Sequence, residues 1–382
     1  MIPEIIPEPP VPEPAVPDPS PPAAPLVRAR RKPARRPLPA KLIFNASSGR
    51  PEESAQQLAD ILAAMWQHQI VPEVFTVQPN SRVGAVVQNA IRRGIKLIVV
   101  AGGDGTVDSV AGTMVGSGAT LGIIPTGTRN NVALSLGISK NIPEAVALLR
   151  DGRRLRIDVG QARLGRTSRW FIEGATLGLL SDLYPVADDI QHGKLAQIGE
   201  LLSTFIAAAP SRLRLSLGGR ERLDTTAHMV LVANMPYLGP NFQIAPSVSF
   251  EDGLLDVFVF SDMGKLDLIG YVMQSGAGRA PDARIKHYKV KQVAIEADPP
   301  MAIVADGDVC GAGHISALIR PRALQVMAGA ATPVVEPAAP AVEPAAPAVE
   351  PAAPAVEPAA PAVEPAALPP AAEASPPAAP AT

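Results

Sequence analysis

The chain has 382 residues, 43 of them proline and only one a cysteine, with a formal net charge of −2. That charge argues against a general nucleic-acid binder. The single Cys310 excludes an intrachain disulfide and fits a reducing compartment, and no apolar run approaches the ~18 residues needed to span a bilayer.

Residues 1–39 read as a disordered Pro- and Arg-rich tail without hydrophobic periodicity. Arg28, Arg30, Arg31, Lys32, Arg35 and Arg36 form a basic run. It is either a solvated linker or a peripheral attachment to anionic lipid. Met1-Ile-Pro-Glu has neither a basic n-region nor an apolar h-region. No secretory signal is therefore expected, and a cytoplasmic protein is.

Residues 40–150 alternate strand and helix. Strand Lys41–Asn45 runs through Ser47-Ser48-Gly49 into a helix from about Pro51 to Gln69. Strand Val74–Val77, a helix from about Arg82 to Arg93, and the β-branched strand Leu97–Val100 follow. Then come Gly102-Gly-Asp-Gly105 and an apolar-periodic stretch from Val107 to Val115, expected as a helix over Val110–Val115. Strand Leu121–Ile124 leads to a second turn, Pro125-Thr-Gly-Thr-Arg-Asn130, and helices at Asn131–Leu136 and Ile142–Leu149. Such βαβ alternation implies a parallel sheet with helices on both faces.

Residues 151–328 change pattern. Short strands dominate: Leu155–Val159, Ser168–Ile172, Leu213–Leu217, Met229–Asn234, Leu255–Val259, Gln292–Ala297 and Met301–Ala305. They read as an antiparallel sandwich-like domain, interrupted by a helix near Gly193–Ala208. Residues 329–382 repeat Val-Glu-Pro-Ala-Ala-Pro-Ala. Proline at that density forbids a coiled coil, so the segment reads as an extended spacer. Its sharper reading is a tether for a Pro-binding partner.

The two glycine turns carry the chemistry. Each follows a buried strand, and consecutive strands of a parallel sheet would set the turns side by side at its carboxyl edge, where such sheets bind ligands. Glycine lets the backbone approach a phosphate, and helix N-termini favour an anion. Asp104 is placed to organise a metal ion, while Thr128 and Asn130 offer a hydroxyl and an amide to phosphate or ribose. The first turn is neither a Walker A loop nor a dinucleotide fingerprint, and no protein-kinase segments accompany it. Taken alone it is also compatible with an ordinary strand-to-helix turn. Asp306-Gly307 and Asp252-Gly253 have the composition of hairpin turns. The five scattered histidines lack zinc-ligand spacing, and no Gly-x-Ser-x-Gly elbow is present.

Taken in order, five segments resemble the diacylglycerol kinase catalytic-domain family. That family includes sphingosine kinases and bacterial lipid kinases and shares its fold with NAD kinases. Leu42-Ile-Phe-Asn-Ala-Ser-Ser-Gly49 is similar to its Asn-Pro-x-Ser-Gly strand end. Gly102 to Thr106 matches Gly-Gly-Asp-Gly-Thr, and Pro125 to Asn130 matches Pro-x-Gly-Thr-x-Asn. Asp252-Gly-Leu-Leu-Asp256 and the Asp-Gly-Glu-like Asp306-Gly307-Asp308 complete the series. The chain departs from the pattern at Ala46, at Asp108-Ser109 for Asn-Glu, at Arg129-Asn130-Asn131 for Ala-Asn-Asp, at Glu173 for Asn, and at Asp308 for Glu.

The resemblance implies an NAD kinase/diacylglycerol kinase-like α/β domain with a parallel sheet, followed by a C-terminal antiparallel β-sandwich-like domain, with the active site in the cleft. It implies an ATP-dependent, Mg²⁺-dependent kinase acting on a lipid hydroxyl at the membrane surface, with a homodimer as an open expectation. Asn45 and Thr76 would line the nucleotide. Gly102, Gly103, Gly105, Thr106, Gly127, Thr128 and Asn130 would hold its phosphates. Asp104 would hold Mg²⁺ through water. A second, structural Mg²⁺ would take the Asp252 carboxylate and the Ser249 and Leu254 carbonyls. Asp306 would act as general base, with Asp308 orienting it or the metal waters. His192-Gly-Lys-Leu-Ala196 and the apolar stretch to Ala209 are similar to a lipid-side segment, or form an ordinary amphipathic helix. Two alternatives stand beside the lipid kinase. One is a non-catalytic ATP-binding relative, suggested by Asp108, Glu173 and Asp308. The other is an NAD kinase-like enzyme with a soluble acceptor.

Overall fold

A computed structural model of the chain describes residues 36–179, 181, 209–238, 242–245, 247–261, 263–265, 267–268, 271, 282 and 284–329. The segment from His192 and both tails up to residue 35 and from residue 330 lie outside the described residues.

Strand β1 (Leu38–Phe44) is central in the first layer. It pairs in parallel with β2 (Ile70–Thr76) on one side and β3 (Leu97–Gly102) on the other, and β4 (Thr120–Pro125) extends the sheet beyond β3. Every residue of β3 and β4 is buried. Such strands read as unbroken apolar runs because both faces of a parallel sheet are covered. The cover comes from α1 (Ser54–Gln67), α2 (Val83–Arg92), α3 (Asp104–Met114), α4 (Asn131–Ser135) and α5 (Ile142–Asp151). One difference from the sequence pattern matters for the site. Helix α3 begins at Asp104 with Gly103 as its N-cap, not at Val107 or Val110. Asp104, Gly105 and Thr106 of the glycine turn form the first helical turn, so the apolar periodicity begins one turn late.

The second part is built from β5 (Arg153–Leu164), β6 (Thr167–Phe171), β7 (Gly174–Gly178), β8 (Ser211–Leu217), β9 (Glu221–Ala227), β10 (Met229–Ala233), the short pair β11 (Tyr237–Leu238) and β12 (Phe242–Gln243), β13 (Leu255–Phe260), β14 (Ile285–Val290), β15 (Gln292–Asp298), β16 (Ala302–Ala305), β17 (Asp308–Ala312) and β18 (Ile315–Ala328). An antiparallel sheet ordered β14-β13-β10-β7-β16-β17 faces β5, β8, β15 and β18. Leu213, Leu215, Leu217, Val293, Ile295 and Ile319 of one layer share a core with Leu177, Val230, Val232, Val257 and Ile303 of the other. In β8 the alternation is clean, with leucines inward and Arg212 and Arg214 outward.

Strand β18 does not stop at the sandwich. Its last residues pair in parallel with β4, Gln325 opposite Thr120 and Val326 opposite Leu121, while its first half pairs antiparallel with β15. The parallel layer and one sandwich layer therefore form a single ten-stranded sheet. The register shifts between Arg320 and Leu324, and Pro321 sits within that irregularity, where a missing donor is tolerated.

Candidate active site

Three loops meet at the carboxyl edge of β1, β3 and β4. A Cβ on Gly127 would lie 2.4 Å from Gly103 Cα, and one on Gly49, at φ +75°, would lie 2.3 Å from the Thr126 carbonyl oxygen. The glycines at these contacts are thus required by backbone packing against backbone. Asn45, just past β1, donates from Nδ2 to Thr106 Oγ1 at 2.9 Å, and its Oδ1 accepts from the Ser47 amide at 3.1 Å. Thr76 ends β2 at the same edge and is exposed.

The second turn is self-braced. Asn130 adopts the left-handed conformation at φ 59°, which asparagine tolerates better than most residues. Its Oδ1 accepts from the Gly127 amide at 3.0 Å and its Nδ2 donates to the Gly127 carbonyl at 2.6 Å. The Asn130 side chain therefore shapes the loop from within, and Thr128 is the exposed polar group on it. Asp104 joins the two turns, because its Oδ1 faces the Val132 amide at the start of α4, 3.4 Å away. Burial pushes its pKa up, against the amides of Asn131, Val132 and Asn130 and the charge of Arg129.

The β-rich part brings the remaining acids. Asp306 (φ 47°) and Gly307 (φ 84°) close the β16–β17 hairpin with both residues at positive φ, as an Asp-Gly turn of this type requires. The Asp306 carboxylate turns back onto the β6–β7 corner. It accepts from the Ile172 amide at 2.5 Å and from the Glu173 and Gly174 amides at 3.0 Å each. Those three donors favour the carboxylate form, yet burial outweighs them and the nearby Arg169, and its pKa is pushed up to about 7.

Two further acids gather here that sequence reasoning did not place in the site. Asp108, one helical turn after Asp104, has both carboxylate oxygens buried without a hydrogen-bond partner. Its pKa is raised well above the carboxylate range by burial and by the charges of Asp306, Glu173, Asp104 and Asp308. Glu173 is 3% exposed. It accepts from Asn131 Nδ2 at 3.0 Å and is likewise raised, by burial and then by Asp104 and Asp306. Both positions had been visible only as departures from a motif. Asp308 faces the other way, exposed and ion-paired with Arg169, so it does not orient Asp306 by a direct hydrogen bond in this structure.

Among the described residues no three Asp, Glu, His or Cys side chains converge to enclose a metal ion by themselves. The orphaned Asp108 carboxylate beside Asp104 nevertheless suits a hydrated divalent cation shared with phosphate oxygens. The Asp252 loop does not suit one. Asp252 Oδ1 accepts from the Leu254 amide at 3.0 Å, and Oδ2 pairs with Lys289 Nζ at 2.8 Å. Ser249 directs its hydroxyl to the Glu251 amide. The Asp252 oxygen expected to take the second ion is already paired with an ammonium.

The diacylglycerol kinase catalytic domain model matches residues 39–162, and the YegS C-terminal NAD kinase beta sandwich-like domain model matches residues 187–328. A diacylglycerol kinase of Bacillus subtilis is 26% identical over 279 residues, spanning 71% of this chain and 90% of its own length. A diacylglycerol kinase of Mycobacterium tuberculosis is 29% identical over 246 residues, spanning 62% of this chain and 78% of its own. Among solved structures, a diacylglycerol kinase of Bacillus anthracis superposes with a TM-score of 0.61 at 24% identity, covering 76% of this chain and 97% of that one.

Proposed function

Since this chain belongs to the diacylglycerol kinase catalytic-domain family, a family of lipid kinases, we propose that it transfers the γ-phosphoryl group of ATP to the hydroxyl of a lipid acceptor. One observation carries this reading. A glycine-lined phosphate cradle and a carboxyl group with a pKa near 7 belong to the same acid-crowded neighbourhood, Asp306 bearing directly on Asp108 of α3.

The residues divide the work. The opening amides of α3 and the Thr128 backbone and hydroxyl hold and orient the phosphates, since the first turn of a helix leaves its donors open. Asn45 fixes the Thr106 hydroxyl on the same side. Asp104 and Asp108 would hold Mg²⁺, which neutralises charge on the phosphates when bound. Asp306 takes the acceptor hydroxyl proton as the new O–P bond forms and the bond to the ADP oxygen breaks. Its three backbone donors fix the carboxylate in place, and a group with a pKa near the working pH both accepts and releases a proton readily.

The test is phosphate transfer from γ-labelled ATP and Mg²⁺ to mixed-micelle lipids (diacylglycerol, a sphingoid base, phosphatidylglycerol) and to NAD, beside the Asp104→Asn variant. A labelled lipid that disappears in the variant supports the proposal and names the acceptor. Labelled NAD moves the chain to a soluble acceptor. ATP binding with no labelled product favours a non-catalytic relative.

A further inference from the structure

Far from the reacting groups in sequence, the loop before β13 gathers four acids, Asp158, Glu251, Asp252 and Asp256. Asp158 and Asp256 are fully buried, at 0% exposure. Asp158 is satisfied by backbone, accepting from the Arg322 amide at 2.7 Å and the Gly253 amide at 2.6 Å. It thereby ties the loop to the irregularity of β18, where that strand passes from one part of the sheet to the other. Asp252 has one backbone donor, the Leu254 amide on Oδ1 at 3.0 Å, which leaves its Oδ2 and the Asp256 carboxylate to side chains. Lys289 on β14, opposite Asp256 in the ladder, reaches both, at 2.8 Å and 3.3 Å, and also donates to the Ser247 carbonyl at 3.1 Å. Burial works against the ammonium, but the two carboxylates outweigh it and raise its pKa. His287, stacked on Phe258, meets Asp256 Oδ1 at 2.6 Å.

We propose that Lys289 is a built-in counterion that replaces a structural divalent cation at the Asp252 loop, so that this loop is held without metal. Two carboxylates and a main-chain carbonyl converge on one point, which is the donor set a hard cation takes. Here a chain-borne ammonium fills that point. A second cation bound to the same Asp252 oxygen would be repelled by it. The inference is independent of the reaction proposed above.

The experiment is thermal unfolding of the nucleotide-free, full-length protein in EDTA and across a millimolar Mg²⁺ titration. The wild type is expected to melt at the same temperature throughout. Lys289→Ala should melt several degrees lower in EDTA and recover at least half of that loss in Mg²⁺. Lys289→Ala combined with Asp252→Asn should show no recovery, which separates this loop from any binding near Asp104. Asp252→Asn alone should be destabilised equally with and without Mg²⁺, and this arm serves even where Lys289→Ala does not fold. A wild-type protein that loses stability in EDTA, with the response abolished by Asp252→Asn, overturns the proposal. So does a Lys289→Ala variant as stable as wild type, or one destabilised but indifferent to Mg²⁺.

Discussion

Asp252-Gly253 and Asp306-Gly307 are the same dipeptide in the same part of the fold, each with its glycine at positive φ, 74° and 84°. Their electrostatic surroundings are opposite. Asp252 faces an ammonium at 2.8 Å, and its loop is a neutralised structural junction. Asp306 faces three neutral amides and a set of other acids, and the nearby Arg169 does not outweigh its burial. An ion-paired acid holds a fold together. An acid without a direct ion pair, with its pKa displaced toward neutrality, is suited to proton transfer. The contrast also explains why the dipeptide alone carried so little information, since what differs lies on other strands.

The comparison breaks most visibly at Asp306. Asp306→Asn keeps shape and one acceptor oxygen but cannot take a proton. Phosphate transfer should fall by about 10²–10⁴-fold with ATP affinity nearly unchanged. Steady-state kinetics with Mg²⁺-ATP and the labelled lipid, beside an ATP titration, check this. A variant with near-wild-type turnover would leave Asp306 as only a brace for the β6–β7 corner. The asparagine also sets its amide against one backbone donor, so a stability loss of about 1–2 kcal/mol is expected in chemical denaturation.

A second break lies at the glycine turns. At Gly127→Ala the new methyl group meets Gly103 Cα at 2.4 Å and Asn130 Oδ1 at 3.0 Å. Backbone cannot rotate away, so the two turns must separate. Overpacking of this kind costs about 1–3 kcal/mol, and ATP affinity should drop at least tenfold. Calorimetric titration checks the affinity and thermal unfolding the stability. Equal ATP binding in the variant would show that the cradle does not depend on this contact.

These two sites differ in how legible they were. The glycine turns could be read because their determinants are consecutive: a β-branched strand, glycines, one acid, then a helix. The same held for β1, β3, β4 and the alternating β8. Strand β18 could not, because Pro321-Arg322 interrupts its apolar pattern at the point where it changes neighbours. β9 is a polar edge strand, Glu-Arg-Leu-Asp-Thr-Thr-Ala, whose composition resembles a loop. The convergence of Asp108 and Glu173 on Asp306 depends on the pairing of β7 with β16, which no local pattern encodes. Lys289 reaches Asp252 for the same reason, through the β13–β14 register.

The crowding of acids gives a pH signature of intermediate size. Asp306 rises to about 7 in the folded protein, against about 3.9 in an unfolded chain. The folded state therefore binds more protons between these values, and stability of the nucleotide-free protein falls as pH rises from about 4 to about 7, by at most about 1.4 kcal/mol per pH unit for each such group. Over the same range the base deprotonates, so kcat/KM should rise with pH and level off above about 7. Asp108→Asn removes one titrating acid that faces Asp306. It should flatten the stability slope and move the kinetic midpoint downward. A slope and midpoint identical to wild type would mean that Asp108 does not face the base in solution.

The smallest effect is expected at Asp308. Its carboxylate is 62% exposed and paired with Arg169, itself 43% exposed. Such pairs contribute about 0–1 kcal/mol, so Asp308→Ala should leave the melting temperature within a degree or two of wild type. Its effect on turnover separates two geometries. If Asp308 stays on Arg169 during the reaction, turnover falls by less than threefold. If it swings toward Asp306 when phosphates and metal enter, turnover falls about tenfold or more while stability is unmoved. Asp308→Glu, one methylene longer, then restores or exceeds wild-type activity, because the added reach brings the carboxylate to the reacting groups without giving up the arginine.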